Sequence, residues 1–449
     1  MQINGNKQTF YSPRCGRANK NYRRETCLDV TIPDDHLAGC DIYPEADSHK
    51  RTVLRPEGAG VPDTDFLLYL HVQATDKCRA EPSVLAYAVH CQTDSHGRPV
   101  AGVVVICRDR LTGATYSHQT TTVIHELFHA LGFSKDLFTI SVLDPAVGAD
   151  CSPRGKVTHS DRSGHMRIYT PSIISALQKH LVSSDPQLGG PLENLVLVSS
   201  HWESRVLQGS IMSAVLGDPS TVRIDPVTLA ALQDTGWYTV DLSRAQSLVW
   251  GDGEGAMFGS LSTCQDNSSS FFCTGSGRGC HFLHLHKGEC QTDQFLEGCR
   301  VYKPLQNGVH ELSGEIFGFD SRCFLSSLSP SVEGRCYRHR CTGPNRYQIQ
   351  VSGSEWVDCP AGGNIQCYVF LDDNIYVILT SLFLCSEIST SAHDGTWSPL
   401  RPPTDPPVPT ALCFTAAACL LAALMVSCRK CRSCMFRTRT VAPDQQDHL

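Results

Sequence analysis

Apolar positions in this chain first gather into three short runs, Phe66–Val72 (FLLYLHV), Ser83–Cys91 (SVLAYAVHC) and Val100–Cys107 (VAGVVVIC), parted by turn-forming or charged segments. Runs of this length, rich in β-branched residues, predict strands of a half-buried to buried sheet. The spacing then changes. In HQTTTVIHELFHALGF, Ile124, Leu127, Phe128 and Leu131 recur at helical intervals and Gly132 supplies a stop. Residues Lys135 to Ser200 read as a separate helical insertion, with Pro171–Leu181 (PSIISALQKHL) its best helix because Pro171 fits the first turn. Pro226–Trp237 (PVTLAALQDTGW) predicts a shorter helix ended at Gly236. Ahead of all this, Met1 to Arg55 is polar, with Cys15, Cys27 and Cys40 as expected staples. No internal repeat is found.

A length of 449 residues with 41% apolar content suits two or three globular domains. The formal charge is −7, and basic residues are scattered except at the C-terminus, which excludes an electrostatic grip on nucleic acid. Cysteine changes the picture more. Of 23 in the chain, eleven crowd between Cys264 and Cys385 in a Gly/Ser-rich stretch, which predicts a disulfide-stapled extracellular domain. Setting aside the five from Cys413 onward leaves eighteen, an even number that fits complete pairing. An Asn-Ser-Ser triplet makes Asn267 a candidate glycosylation site.

Near the end, Ala411–Cys428 (ALCFTAAACLLAALMVSC) is uncharged and would make a helix of about 27 Å, close to the thickness of a hydrocarbon core. It predicts a single membrane span. Arg429, Lys430, Arg432, Arg437 and Arg439 follow it, so the tail is expected in the cytoplasm and the bulk of the chain outside. That basic tail also argues against a glycolipid-anchor signal. Cys428, Cys431 and Cys434 are read as free cytosolic thiols at the inner leaflet, with palmitoylation as the alternative. The N-terminus, MQINGNKQTFYSPRC, has no apolar core of a secretory signal. The expectation is therefore a fragment or shortened isoform, or delivery by the C-terminal span alone.

The chemistry centres on HELFHALGFSK, His125 to Lys135. Positions four apart share a helix face, so His125 and His129 can converge on one metal ion, and Glu126 falls beside that face as a general base for a metal-activated water. The pattern arises by accident in roughly a few per cent of chains of this size, so two structural histidines in a buried helix are the alternative. A third ligand has to decide. A histidine three residues after the glycine would complete a compact metzincin site, but Lys135 stands there and excludes it. The next glutamate after Glu126 is Glu193, distant and in a Gly/Pro-rich loop, which sets aside a thermolysin-like arrangement. Asp144 and Asp161 sit in no supporting motif, and His159, His165 and His180 read as surface histidines of the insertion.

HELFHALGFS, a long insertion and then SSHWESRVLQGSIMSA resemble the leishmanolysin family of surface metzincins. DTDFLLYL, VLAYAVHCQ, GRPVAGV, LAALQDTGWY, SRCF and WVDCPAGG extend the likeness over roughly residues 15 to 367. The resemblance implies an α+β, metzincin-like catalytic domain, a twisted sheet plus an active-site helix, binding one Zn2+ per chain. It implies His125, His129 and His201 as ligands, Glu126 as base, Gly132 as the turn glycine and Met212 as the Met-turn residue. Such an insertion is tolerable because loop-closure entropy grows slowly with length. Trp202 and Glu203 are candidates to support His201, with simple packing as the alternative.

Departures from the family also stand out. The Met-turn reads Ser-Ile-Met-Ser where relatives usually place an acid before it, and Cys151 lacks an evident partner. Beyond Cys367 the pattern is lost, so that stretch is expected to be misconnected or unfolded. SPRCG around Cys15 resembles a cysteine switch of matrix metalloproteinases, but a disulfide is the simpler reading.

The expected organisation is a catalytic subdomain at 1–134, cut short at its start. An insertion, third-ligand and Met-turn subdomain follows at 135–241, then a cysteine-rich domain at 242–395. A Pro-rich stalk at 396–410, a span at 411–428 and a tail at 429–449 complete it. The expected function is a cell-surface zinc endopeptidase acting on extracellular peptides or proteins, which would pair with strand Ser83–Cys91 or Val100–Cys107. The alternatives are an inactive adhesion or interaction protein and a truncated isoform without activity.

Overall fold

The computed structural model describes residues 24–43, 49–111, 116–138, 157–194, 198–305 and 346–359 continuously, with shorter pieces elsewhere before 381. Asp144, Cys151, the stalk, the apolar run 411–428 and the tail lie outside the described residues. Among the described residues no helix is long and apolar enough to cross a membrane.

The three apolar runs form one sheet. Pro99–Cys107 is its middle strand, parallel to Leu67–Gln73 and antiparallel to Ala86–Thr93. Its near-continuous apolar sequence follows from this position, because a strand covered on both faces has no polar side to show. Disulfide Cys27–Cys91 ties the N-terminal segment to the strand Ala86–Thr93, Cys78–Cys107 ties a short helix, Asp76–Ala80, to the end of the middle strand, and Cys15–Cys40 closes the segment itself. All three expected staples are therefore in use.

The helix Tyr116–Leu131 lies on this sheet. It comes close because residue 102 is glycine: a Cβ there would stand 2.9 Å from Ala130 Cβ and 3.0 Å from the Phe66 ring. The helix ends in a Schellman motif. Phe133 N–H donates to Phe128 O at 2.9 Å and Gly132 N–H to His129 O at 3.2 Å, with Gly132 at φ +126°. Phe128 and Phe133, the apolar pair of that motif, are both buried.

The insertion departs from the expected helical make-up. Its helix spans Pro171–Leu181 as read, but its other described elements make an antiparallel sheet of Thr158–Ser160, Met166–Ile168, Gly190–Asn194 and Val198–Trp202. Strands of three to five residues are too short for a two-residue alternation to show in sequence, so only the helix was legible. Asp234, at the end of helix Pro226–Asp234, accepts the Ser172 N–H at 2.8 Å and so caps Pro171–Leu181. A single apolar cluster runs from Phe128 and Phe133 through Leu177, Trp202, Met212 and Trp250 to Val301.

The cysteine-rich part holds a three-stranded and a six-stranded sheet, pinned by Cys264–Cys299, Cys273–Cys290 and Cys280–Cys323. Two expectations are corrected here. Complete pairing of the eighteen cysteines does not hold, since Cys336 is free and buried. Cys323 faces it across the sheet but is already joined to Cys280. The described part of the stretch beyond Cys367 is not unfolded: Ile365–Leu371 and Asn374–Thr380 pair with each other, and the second of them joins Ser321–Ser326.

Candidate metal centre

His125 and His129 leave the same face of the helix, as the four-residue spacing requires. Each has its Nδ1 fixed by a backbone carbonyl. His125 Nδ1 donates to Ile211 O at 2.6 Å and His129 Nδ1 to Phe133 O at 2.7 Å. A carbonyl oxygen can only accept, so these bonds set the tautomer and leave a lone pair on each Nε2. The second carbonyl is aimed by the turn at Gly132, where a Cβ would also lie 3.0 Å from the Trp237 ring.

His201 arrives from the far end of the insertion. The two ends of that insertion meet, since Lys135 N–H donates to Ser200 Oγ at 2.9 Å. A long excursion in sequence is thus a short step in space, and the third imidazole enters beside the point where Lys135 cannot serve. His129 Nε2 lies 3.0 Å from His125 Nε2 and 3.2 Å from His201 Nε2. Among the described residues these three make up the one set of histidine, cysteine or carboxylate groups whose donor atoms converge within 4.8 Å.

Three nitrogens so placed fit a tetrahedral metal, whose ligand atoms at about 2.0–2.1 Å from the ion stand about 3.3 Å from one another. Lone pairs this close repel unless a cation lies among them. Burial lowers His125 to about 4 and His129 to about 3, with the neighbouring imidazoles pushing the same way and the carbonyl bonds opposing. Both rings are therefore neutral at pH 7, as metal binding requires. This cluster can hold a metal ion.

Glu126 is 8% exposed. Burial raises its carboxyl to about 8, against the opposing pull of the Ala88 amide and of Lys77. Ala88 belongs to strand Ala86–Thr93, so that strand runs past the carboxylate. Of the two strands considered for substrate pairing, Val100–Cys107 is excluded, because both its edges are already paired.

Met212 is fully buried in a turn bonded both to His125 and to the strand that carries His201. Ile211 O holds His125, while Met212 O accepts the N–H of Trp202, the residue after His201, at 2.9 Å. A carboxylate from another segment reaches this turn through Ser210. Ser210 Oγ donates to Asp225 at 2.5 Å and accepts the Met212 N–H at 3.1 Å. Thr228 Oγ1 also donates to Asp225, and Trp202 Nε1 donates to Thr228 at 2.9 Å. Burial pushes the Asp225 carboxyl up, opposed by its bonds to Ser210 and Thr228.

Trp202 is thus buried in the core, and Glu203 caps the short helix Ser204–Leu207 by accepting the Arg205 N–H. Beside His201 Nδ1 stand Glu193 Oε2 at 3.6 Å and Ser199 Oγ at 3.5 Å. His201 and Ser199 hold the Glu193 carboxyl below its usual range, against partial burial. Sequence reading weighed Glu193 only as a ligand and missed Ser199, Ser210, Asp225 and Thr228. Hydroxyls and capping acids carry no spacing signal that would have marked them. Asp161 is paired with Arg167 at 2.7 Å, His159 is exposed and His180 Nε2 bonds Trp250 O, so none of these joins the site.

The sequence model of the leishmanolysin peptidase family matches residues 55–307. A zebrafish (Danio rerio) protein named ciliated left-right organizer metallopeptidase is 56% identical over 402 residues, covering 82% of this chain and 64% of its own length. The human protein of that name is 40% identical over 450 residues, covering 79% and 57%. A Caenorhabditis elegans leishmanolysin-like peptidase is 32% identical over 275 residues, covering 52% and 40%. The chain therefore spans less than two thirds of the length of these relatives. With more than half of its residues matched by the family and a histidine triad fit for a metal, the chain belongs to the leishmanolysin family of metallopeptidases.

Proposed function

We propose that this chain is a zinc-dependent endopeptidase that cleaves extracellular peptides or proteins. The observation that carries the reading is the convergence of three Nε2 atoms beside a buried glutamate, with the Nδ1 of both helix histidines already engaged. His125, His129 and His201 would hold one zinc ion. When bound there, zinc supplies Lewis acidity that polarises a peptide carbonyl and acidifies water.

The rest of the chemistry falls to the chain. An extended substrate pairs with the outer edge of strand Ala86–Thr93, which in the described sheet has one neighbour only. That edge passes Glu126, so the scissile bond is laid across the carboxylate. Glu126 takes the proton of the attacking water and hands it to the leaving amine nitrogen. Burial alone would keep this carboxyl protonated at neutral pH. With a divalent cation held by the three histidines, Glu126 would favour its charged form, which would couple metal loading to base activation.

Placement outside the cell, tethered by the apolar run 411–428, is supported by the disulfides and by the basic residues that follow that run. Asn267, exposed with its Oδ1 accepting the Thr274 hydroxyl at 3.0 Å, is the proposed glycan carrier.

The test compares wild type with Glu126→Gln for bound zinc and peptide cleavage. Glutamine keeps the shape but cannot take the proton. One zinc per chain in both, with cleavage lost by about 10²-fold or more in the variant, is expected. Equal cleavage by the variant, or a wild type that holds no zinc, overturns the proposal.

A further inference from the structure

The three ligand histidines are not held in the same way. His125 and His129 give Nδ1–H to backbone carbonyls at 2.6 and 2.7 Å. His201 instead faces a side-chain pair, Glu193 Oε2 at 3.6 Å and Ser199 Oγ at 3.5 Å. Ser199 Oγ donates to the same carboxylate oxygen at 3.0 Å and accepts the His201 N–H at 3.1 Å. One hydroxyl therefore grips both the carboxylate and the backbone of the ligand.

The strand that carries His201 is also bulged at this point. The ladder pairs Leu192 with Trp202 and Asn194 with Val198, so Glu193 alone faces Ser199, Ser200 and His201. An excess of residues on one strand bends it and re-aims a side chain. Here the excess stretch holds both Ser199 and His201. Such a bend needs something to fix the ring it has turned, because the His201 side chain is 28% exposed and less confined by packing than a core residue.

We propose that Glu193, working together with the Ser199 hydroxyl, is the positioning residue for the third metal ligand. It fixes the His201 ring so that Nε2 turns toward the Nε2 atoms of His125 and His129. The inference rests on the zinc reading above. Both groups belong to the closing hairpin of the insertion, Gly190–Asn194 and Val198–Trp202. The insertion therefore carries the device that sets its own ligand, rather than only spacing it.

The test uses the full chain as wild type, Glu193→Gln, Ser199→Ala and Ser199→Thr. Zinc affinity is measured by chelator competition, beside the visible spectrum of the cobalt(II)-loaded protein and the melting of the metal-free protein. Glu193→Gln should weaken zinc binding by about 10–100-fold and change the cobalt spectrum, with the metal-free melting unchanged. Ser199→Ala should lose less, and Ser199→Thr should restore wild-type affinity. A purely structural role would lower the melting and leave the spectrum of the loaded protein alone, which overturns the proposal. Wild-type affinity and spectrum in Glu193→Gln overturn it too, while the zinc reading stands. A wild type that binds no zinc overturns both. Should Glu193→Gln fail to fold, Ser199→Ala decides, and an affinity and spectrum indistinguishable from wild type overturn the proposal.

Discussion

Between residues 24 and 111, two disulfides wholly inside the segment or reaching its sheet, Cys27–Cys91 and Cys78–Cys107, cross-link a region whose apolar cluster is small, made of Cys27, Val30, Ile32, Leu37, Ala101, Val103 and Val105. Between Cys107 and Cys264 no disulfide occurs among the described residues, and most of the buried apolar side chains described there belong to the large cluster around Leu177, Trp202 and Met212. The helix with His125 and His129 lies between the two, its Ala130 against the sheet at Gly102 and its Phe128 in the large cluster. His201 belongs wholly to the second region. The three clustered histidines, held by a cross-linked region and a packed one, stay in register only while both hold, and the two should fail under different stresses.

The largest effect that could break this contrast is Trp202→Ala. The indole is fully buried, meets the Phe133 ring at a centroid distance of 4.9 Å and donates to Thr228. Its removal leaves a cavity and takes one donor from the Thr228 hydroxyl, which keeps its bond to Asp225, at a cost of about 3–5 kcal/mol. Denaturant unfolding should show this loss equally with and without reductant. A loss below about 1 kcal/mol would mean that packing is not what holds His201 in place.

Next comes the opposite lesion, Cys27→Ser with Cys91→Ser. Opening a bridge with a sequence separation of 64 residues frees the N-terminal segment from the strand next to Glu126. The expected cost is about 2–4 kcal/mol, again by denaturant unfolding. Limited proteolysis sharpens the comparison: new cuts should fall within 24–111 and spare 157–262. Cuts appearing first around His201 would show that the two regions share one fate.

How much of this was open to sequence reading follows the same divide. Strand Pro99–Cys107 and helices Tyr116–Leu131 and Pro171–Leu181 bury long apolar stretches, so their periods were visible. His125 and His129 were legible because a helix turns a spacing of four into adjacency. His201 was not, since a hairpin and a bulge bring it there, and only a family likeness pointed to it. The support behind the site stayed hidden for a related reason. Asp225 and Thr228 share the first turn of one helix, but Ser210 and Trp202 come from two other segments, and nothing in a one-dimensional pattern says that the four share one buried network. Glu193 was judged by distance along the chain, and the hairpin makes that distance irrelevant.

Acid gives the smallest and most selective separation of the two regions. His125 and His129, lowered to about 4 and about 3, remain neutral in the folded metal-free protein at pH values where unfolded histidine, near 6.5, is already protonated. Below about pH 6.5 the unfolded state therefore binds more protons than the folded one, and stability falls as pH falls. Their contribution is complete above the unfolded value and fades as pH drops toward the folded ones, at about 1 kcal/mol for each ring by pH 5.5. Melting of the metal-free protein between pH 7.5 and 5.5 should decline accordingly. Histidine 125 changed to asparagine should flatten part of that slope, whereas opening Cys27–Cys91 should lower the whole curve without changing its shape. A wild-type melting curve independent of pH across this window would mean that the two rings are not held neutral by burial, and with it the packed half of the comparison would lose its distinguishing mark.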